Sequence, residues 1–241
     1  MFIDSPDGRL RRKICVVSEF DPIGVIAHQI GHTFGLPDLY NYNLTQWFDM
    51  NQDHIVDEDN CVGHWDLMAT GQWLPNSTGE DPIHPTIWTK NRLGWIQTIR
   101  DVYPSGESVT AQVDPLENPT ETGYSFHGVR VHLTEDLYYL AEVRKPSHGR
   151  PGGVLVYEVD DTLALQGGEA PNLIYRYGSA DWWNYTVKRW GPHAGRGPLK
   201  IMDANPTILG LYAAPYQDGQ RLTIPHPSYR IRGLSRNNHG F

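Results

Sequence analysis

The sequence lacks several features that would assign it to a particular class of protein. Only two cysteines occur among its 241 residues, which excludes a disulfide-rich scaffold. No apolar run approaches the ~18 residues of a membrane-spanning helix, and the N-terminus has no long apolar stretch typical of secretory signals. With 28 acidic and 20 basic residues, the formal net charge of −8 argues against nucleic acid or an anionic membrane as the main partner.

These absences leave the cellular compartment open. The missing signal fits an intracellular protein, a mature form or a fragment of a longer chain. Cys15 and Cys61 fit either one disulfide bond or two buried thiols. The residues alone therefore predict neither an oxidising nor a reducing environment.

Glycine and proline, in contrast, are plentiful. The 24 glycines and 18 prolines exceed average usage without reaching the content of collagen or of low-complexity chains. Together with 39% hydrophobic residues, they predict a folded, loop-rich protein that contains β-structure. The 11 histidines are the other unusual feature, and two of them belong to the most informative pattern in the chain.

The N-terminal region predicts a strand followed by a helix. Residues 13–18 (KICVVS) form a short apolar run that predicts a buried strand. The Asp-Pro pair at 21–22 suits an N-cap and a first helical position, so we expect a helix from there to Phe34. Gly35 is expected to cap the end of that helix.

The rest of the chain predicts one more helix and then mostly strands. Residues 83–93 are apolar at helical spacing, and Gly94 suits the end of that helix. After Trp95 the apolar period changes to two, which predicts strands. These predicted strands are 107–113, 127–134, 137–144, 153–159, 220–224 and 228–232. We therefore expect an α+β protein, with a helical part over residues 1–98 and an antiparallel, sandwich-like β-rich domain over 99–241.

The segment GVIAHQIGHTFGLPDLY, residues 24–40, contains the pattern most specific for chemistry. His28 and His32 lie four residues apart on the predicted helix, so both imidazoles project from one face and can share a zinc ion at about 2.0–2.1 Å. Gly35 permits a sharp turn that brings Asp38 back as a third, oxygen ligand. Two histidines alone would more often be ordinary core side chains, but the added turn and carboxylate favour a metal. Three ligands with one open position are typical of catalytic zinc.

The segment HQIGHTFGLPDLY resembles the zinc-binding stretch HExxHxxGxPD of the immune inhibitor A family of secreted metallopeptidases, within the broader metzincin class. Further similarities follow in the same order along the chain. GHWDLMATGQW at 63–73 resembles the family's Met-turn, KNRLGW at 90–95 resembles the end of its downstream helix, and residues 138–160 resemble the β-domain that follows.

The resemblance carries specific implications for these residues. It implies that His28, His32 and Asp38 bind zinc and that Met68 lies in the turn beneath the metal. It also implies a secreted protein that hydrolyses peptide bonds in proteins or peptides. Residues 1–98 would then form part of a metallopeptidase catalytic domain.

The residue after the first histidine departs from the family pattern. The family has a glutamate there, which takes a proton from the attacking water and passes it to the leaving amine, whereas this chain has Gln29. A glutamine amide has no useful basicity, and loss of a general base costs on the order of 10²–10⁴ in rate. Gln29 therefore predicts a zinc protein with little or no turnover. A natural pseudoenzyme and a deliberate replacement would carry the same residue, and both stay open.

The segment ahead of the first histidine is also short for the family. Only 27 residues precede His28. By resemblance, a metzincin-type domain has an upstream twisted sheet and a backing helix there, and one strand of that sheet lines the substrate cleft. We therefore expect this chain to be the C-terminal portion of a longer protease or a truncated relative.

Residues 49–60 (DMNQDHIVDEDN) resemble a calcium-binding loop of the EF-hand type. The candidate oxygen ligands are Asp49, Asn51, Asp53, the carbonyl of Ile55, Asp57 and Asp59. His54 stands where such a loop needs glycine, and Asn60 stands where it needs a bidentate glutamate, so a solvated acidic loop is the alternative. We favour calcium slightly, because closely spaced carboxylates repel one another unless they bind a cation.

Three further features are interpreted as mainly structural. His64 is expected to be a loop histidine, although it could approach the metal or a substrate. Aromatic residues between 175 and 190 predict core packing in preference to a carbohydrate-stacking surface. Glu142 and Arg144 lie two apart on a predicted strand and therefore predict an ion pair on one face.

Two functional hypotheses remain. The first is a zinc metalloendopeptidase in which His28, His32 and Asp38 hold the metal and residue 29 is the position of the general base. The second is a catalytically silent, metal-stabilised binding module whose β-rich part contacts protein or glycan. Gln29 favours the second hypothesis for the chain as it stands.

Overall fold

The computed structural model of the protein describes most of the central part of the chain. The elements in chain order are β1 (Phe2–Asp4), β2 (Arg11–Lys13), α1 (Ile23–Thr33), two 3₁₀ helices (Gly63–Trp65 and Thr70–Trp73), α2 (Ile87–Arg92), β3 (Ile99–Val102), β4 (Gly128–His132), β5 (Leu137–Arg144), β6 (Gly153–Asp160) and β7 (Leu199–Ile201). The described residues are 2–4, 11–13, 15–39, 62–74, 78–103, 109–117, 126–161, 199–202, 204, 211, 213–220 and 222. Within these ranges, no helix has the length and apolar character needed to cross a membrane.

The described strands form a five-stranded sheet and a separate pair. The sheet has the order β3-β4-β5-β6-β7, and β1 pairs with β2. Strands β4 to β7 are antiparallel, but β3 runs parallel to β4, so the prediction of a purely antiparallel arrangement is wrong at this edge. A parallel pair needs a crossover connection of a dozen or more residues, and the sequence between the end of β3 at Val102 and the start of β4 at Gly128 is long enough for one. The fold class is α+β, as expected, whereas a sandwich stays a prediction.

The two faces of the sheet pack in different directions because side chains alternate along β5 and β6. Leu140 and Tyr157 belong to the main core, which also contains Trp65 and Met68. The opposite face forms a smaller cluster around Tyr139 with residues from other parts of the sheet and from the segment after β7. The main core thus contains residues from both sides of the predicted boundary at 98, and the division into two domains stays a prediction.

Helix α1 forms close to the predicted position and is followed by a glycine with a positive φ, as the sequence predicts. It begins at Ile23 with Pro22 as N-cap, and Asp21 instead accepts a hydrogen bond from the amide of Ser18 at 2.6 Å. Gly35 follows the helix with φ of 88°, a left-handed conformation that glycine adopts readily. The chain can therefore reverse within three residues of His32.

The predicted strand at 13–18 is wrong. Strand β2 ends at Lys13, and Val16 is 70% exposed in the segment that follows. An apolar run of this length does not form a strand unless a neighbouring strand pairs with it, and among the described residues none pairs with this segment.

Helix α2 is shorter than the predicted span of 83–93. Pro85 disfavours a helical conformation for the residue before it, so the helix begins only after Thr86. The Thr86 hydroxyl caps the helix by accepting a hydrogen bond from the amide of Thr89 at 3.4 Å. Gly94 ends it with a φ of 72°, as the sequence predicts.

The strand predictions vary in accuracy along the chain. The span 137–144 is confirmed residue for residue, and 127–134 and 153–159 are confirmed within two residues at each end. Residues 109–113 form no strand, since Val113 makes only one isolated bridge with Phe126. The spans 220–224 and 228–232 lie wholly or largely outside the described residues.

Candidate metal centre

Three side chains from α1 and the segment after it converge on one point. The Nε2 atom of His28 lies 2.9 Å from Oδ1 of Asp38, and Nε2 of His32 lies 3.2 Å from the same oxygen. His28 and Asp38 are buried, whereas His32 is partly exposed. Within the described part of the chain, these residues form the only group of three or more metal-ligating side chains close enough to hold an ion.

The second ring nitrogen of each histidine determines which nitrogen faces the centre. Nδ1 of His28 lies 3.0 Å from the carbonyl oxygen of Leu67, and Nδ1 of His32 lies 2.9 Å from that of Leu36. A carbonyl only accepts hydrogen bonds, so each Nδ1 carries the proton and donates it. When such a ring is neutral, its Nε2 lone pair faces the centre, which is the tautomer that a metal requires. When the ring is protonated, Nε2 instead donates a hydrogen bond to Oδ1 of Asp38.

The position of Asp38 is set by the turn at Gly35 and by one main-chain hydrogen bond. The amide of Leu39 donates to the carbonyl of Met68 at 2.7 Å, which fixes the chain next to the carboxylate. Burial by itself would raise the pKa of Asp38, but hydrogen bonds and positive charge from His28 and His32 in their protonated forms outweigh it and lower the pKa. The lowered pKa keeps the Asp38 carboxyl ionised at neutral pH, which is the form that a cation would require.

Met68 lies directly beneath α1. Its side chain is fully buried, and a Cβ built on Gly31 would lie 2.5 Å from the Met68 sulfur. Glycine between the two histidines thus allows the thioether to approach the helix closely. Met68 packs under the centre and is not part of the group that could hold an ion.

The donor set fits a zinc ion. Two imidazole nitrogens and one carboxylate oxygen are ligands that zinc prefers, and all ligand atoms lie within 4.8 Å of one another. Zinc bonds of about 2.0–2.2 Å place neighbouring ligand atoms about 3.3 Å apart, similar to the two observed nitrogen–oxygen separations. Three protein ligands leave one coordination position open, as in catalytic zinc sites.

Among the described residues, Gln29 and His64 are predicted site residues that lie outside this group. Gln29 follows His28 on α1 and is half-buried. His64 lies on the 3₁₀ helix Gly63–Trp65, where burial and the nearby charge of Arg150 lower its pKa to about 4. A neutral, partly buried His64 agrees with the structural interpretation.

Several predicted features lie wholly or partly outside the described residues. The six calcium candidates and the aromatic residues between 175 and 190 all fall there, so both remain predictions. Cys15 is a free thiol, while Cys61 is outside the described ranges. The predicted ion pair is confirmed, since Nε of Arg144 lies 2.5 Å from Oε1 of Glu142 and both side chains are buried.

Sequence reasoning missed the groups that orient the histidines. The carbonyls of Leu36 and Leu67 belong to the main chain, so their side chains carry no signal of this role. A methionine-containing turn after a zinc-type helix could have suggested where one of them would lie. Even then, the pairing of His28 with a residue 39 positions away depends on tertiary packing.

Comparisons with known proteins agree with this geometry. Residues 13–97 match the family model described as the immune inhibitor A peptidase M6 catalytic domain. Two curated relatives, each named pre-pro-metalloprotease PrtV and each from a strain of Vibrio cholerae serotype O1, are 33% identical over 70 residues. That segment is 29% of this chain and 6% of each relative, so the chain spans only a small part of their length. No solved structure matches the chain significantly.

The matches confirm the resemblance that the sequence motifs indicate. His28, His32, Asp38 and Met68 all lie inside the matched range of 13–97. The five-stranded sheet, from β3 onward, lies outside it. The matched segment is thus similar to metallopeptidases, and it contains every residue of the candidate centre.

Proposed function

We propose that this chain is the zinc-binding part of a metalloendopeptidase of the immune inhibitor A family, with a protein or peptide as substrate. The observation that carries the proposal is the convergence of two imidazole nitrogens and a buried carboxylate within a segment that matches the family's catalytic domain. The resemblance further favours a secreted protein. A calcium ion at the acidic loop of residues 49–60 remains part of the proposal.

Each residue of the centre would have a specific role in metal binding or in hydrolysis. His28, His32 and Asp38 hold the zinc, and the carbonyls of Leu36 and Leu67 keep the two imidazoles in the required tautomer. Zinc, when bound, polarises the scissile carbonyl and favours attack by water. Peptide hydrolysis also needs a base that removes a proton from that water, and residue 29 is the family's position for it.

Gln29 limits what the centre can do. Its amide can hydrogen-bond a water molecule but cannot take a proton from it at neutral pH. Loss of a general base lowers rates by roughly 10²–10⁴. We therefore propose that zinc binding is retained and that turnover is absent or strongly impaired.

The same residue supports a second candidate function. A chain that keeps its metal ligands but lacks the base would still gain stability from zinc. Its β-rich part could then contact protein or glycan as a silent binding module. The two candidates share the metal centre and differ only in whether a carboxylate at position 29 produces hydrolysis.

Zinc content tests the metal centre itself. We expect close to one equivalent of zinc per chain after dialysis against a limiting zinc buffer, and much less in His32→Ala and Asp38→Ala. His132→Ala is the matched control, because this histidine lies on β4 and pairs with Asp101 instead. Less than about half an equivalent in the parent protein, measured by elemental analysis, would contradict the proposed site.

Restoring the base tests the enzyme class. We expect Gln29→Glu in the full-length protein to raise chelator-sensitive hydrolysis of casein by about 10²-fold or more. Gln29→Ala, which also lacks a base, is the control and should stay at the parent level. If Gln29→Glu binds zinc but shows no chelator-sensitive hydrolysis, the endopeptidase proposal is wrong and the binding module is favoured.

A further inference from the structure

One short turn makes three contacts with the segments that carry the candidate centre. The Met68 turn, residues 66–69, offers the Leu67 carbonyl to His28 at 3.0 Å and the Met68 carbonyl to the amide next to Asp38 at 2.7 Å. The Met68 side chain packs against Gly31 between the two histidines of α1. A displacement of this turn would therefore disturb the orientation of one histidine and the position of the carboxylate together.

The carboxylate of Asp66 holds the Met68 turn in place. Asp66 is completely buried. Its Oδ1 accepts the amide of Met68 at 2.7 Å, which closes the turn on itself. Its Oδ2 accepts the amide of Thr86 at 2.6 Å and the hydroxyl of Thr89 at 2.8 Å. One side chain thus joins the turn to the start of α2.

The start of α2 is in turn fixed to the sheet. The amide of Ile87 donates to Oε2 of Glu142 at 2.6 Å, and Oε1 of Glu142 accepts from Arg144. Nη2 of Arg144 donates to the carbonyl of Trp65 at 3.0 Å, one residue before Asp66. The chain of hydrogen bonds therefore starts at Asp66 in the Met68 turn and returns to Trp65, the residue directly before it.

We propose that Asp66 is a positioning residue of the metal centre, which acts through the Leu67 and Met68 carbonyls and contacts neither metal nor substrate. This proposal rests on the proposed zinc function. Removing the charge from Asp66 leaves the turn with one fewer strong acceptor, and an asparagine amide group would face the amide of Thr86, which is itself a donor. The turn should then shift, and the second nitrogen of His28 should lose its fixed acceptor.

Zinc affinity of Asp66→Asn is the direct test. Loss of outer groups that orient metal ligands typically weakens metal binding by about 10–100-fold. We expect a loss of about 10-fold for Asp66→Asn, measured by competition with a chromogenic chelator well below the thermal midpoint. The visible absorption of the cobalt-substituted protein should also change, because it reports the ligand geometry.

Tyr157→Phe provides a matched control. The Tyr157 hydroxyl donates to Oε1 of Glu142 at 2.6 Å. This variant therefore also removes a hydrogen bond to a buried carboxylate of the same hydrogen-bond network, but one that lies on the sheet and not in the Met68 turn. We expect Tyr157→Phe to lower the thermal midpoint while zinc affinity stays within about 3-fold of the parent. A purely structural role for Asp66 predicts the same result for both variants.

A milder variant keeps the proposal testable if Asp66→Asn does not fold. Thr89→Val removes one of the three donors to Asp66 with little change of shape. It should weaken zinc binding more than Tyr157→Phe does, and equal affinities in these two variants would overturn the proposal. If the parent protein itself binds no zinc, the proposed function fails. If the parent binds zinc and the Asp66 variant binds it equally well, only this inference fails.

Discussion

Substitution by alanine should have very different effects at two glycines of helix α1. Gly24 and Gly31 are both buried on the face of α1 that packs inward. A Cβ at Gly24 would lie 1.9 Å from the carbonyl oxygen of Gln72, which is a main-chain atom of the 3₁₀ helix Thr70–Trp73. A Cβ at Gly31 would lie 2.5 Å from the sulfur of Met68, which is near the end of a flexible side chain.

The change in the free energy of unfolding depends on whether the atom that the new methyl group contacts can move away. Alanine stabilises a helix interior by about 1 kcal/mol relative to glycine. At Gly24 the opposing overpacking should reach about 3 kcal/mol, and displacement also weakens the 2.8 Å hydrogen bond to Gly79 by about 1 kcal/mol. At Gly31 the thioether can change rotamer, so overpacking of about 1–2 kcal/mol nearly cancels the helical gain.

We therefore expect Gly24→Ala to lower the free energy of unfolding by about 3 kcal/mol and Gly31→Ala by about 1 kcal/mol or less. For a protein of this size each kcal/mol corresponds to roughly 2–4 °C. Thermal unfolding followed by circular dichroism should then show a fall of about 6–12 °C for Gly24→Ala and at most about 4 °C for Gly31→Ala. The zinc-free protein is the correct sample, because bound metal would add its own stabilisation.

Either of two results would refute this reasoning. If Gly31→Ala is the more damaging change, the neighbour's flexibility does not control the cost. If Gly24→Ala matches the parent protein, α1 does not pack closely on the 3₁₀ helix Thr70–Trp73. Either outcome would also weaken the description of the Met68 turn, because that turn leads directly into this 3₁₀ helix.

Two further predictions concern buried charge and pH. Because burial and Arg150 lower the pKa of His64 from 6.5 to about 4, its stabilising effect is complete above pH 6.5 and is lost as the pH falls toward 4. His64→Gln should reduce this loss of stability in the zinc-free protein by about 1–2 kcal/mol, after allowance for partial exposure of the side chain. The measurement is urea unfolding of both proteins at pH 7, 5.5 and 4.5. An equal fall in the free energy of unfolding in the two proteins would contradict the prediction. Glu142→Gln should cost about 3–5 kcal/mol because it leaves the buried Arg144 without its carboxylate. The double variant with Arg144→Met should recover part of that loss in denaturant unfolding, and no recovery would contradict the pairing.

Local sequence patterns predicted the elements that depend on local chemistry. The 11-residue α1 and the eight-residue β5 both follow from clear apolar periods and flanking glycine or polar turns. The spacing of His28, His32 and Asp38 likewise predicted which three side chains meet, because a helix and one glycine turn determine most of that geometry. In each case the residues that form the pattern lie within a short stretch of sequence.

The failures arise where distant segments decide the outcome. Strand β3 pairs in parallel with residues about 29 positions away, and no local period predicts the direction of such a pair. The exposed valine at position 16 shows the opposite error, since its apolar run has no partner strand. No local pattern indicates the role of Asp66 either, because two of its three donors come from residues 20 and 23 positions further along the chain.

The two hydrogen bonds from histidine Nδ1 to main-chain carbonyls have a consequence for metal exchange. Each ring is held by the fold itself, through Leu36 and Leu67, and not by the ion. The proposed zinc would therefore meet side chains that already face the centre, and little side-chain ordering would accompany its uptake. In a zinc finger the apoprotein is unfolded and metal capture waits for the chain to collapse. For the proposed site, in contrast, we expect zinc to be loaded and removed without a change of the backbone and without refolding.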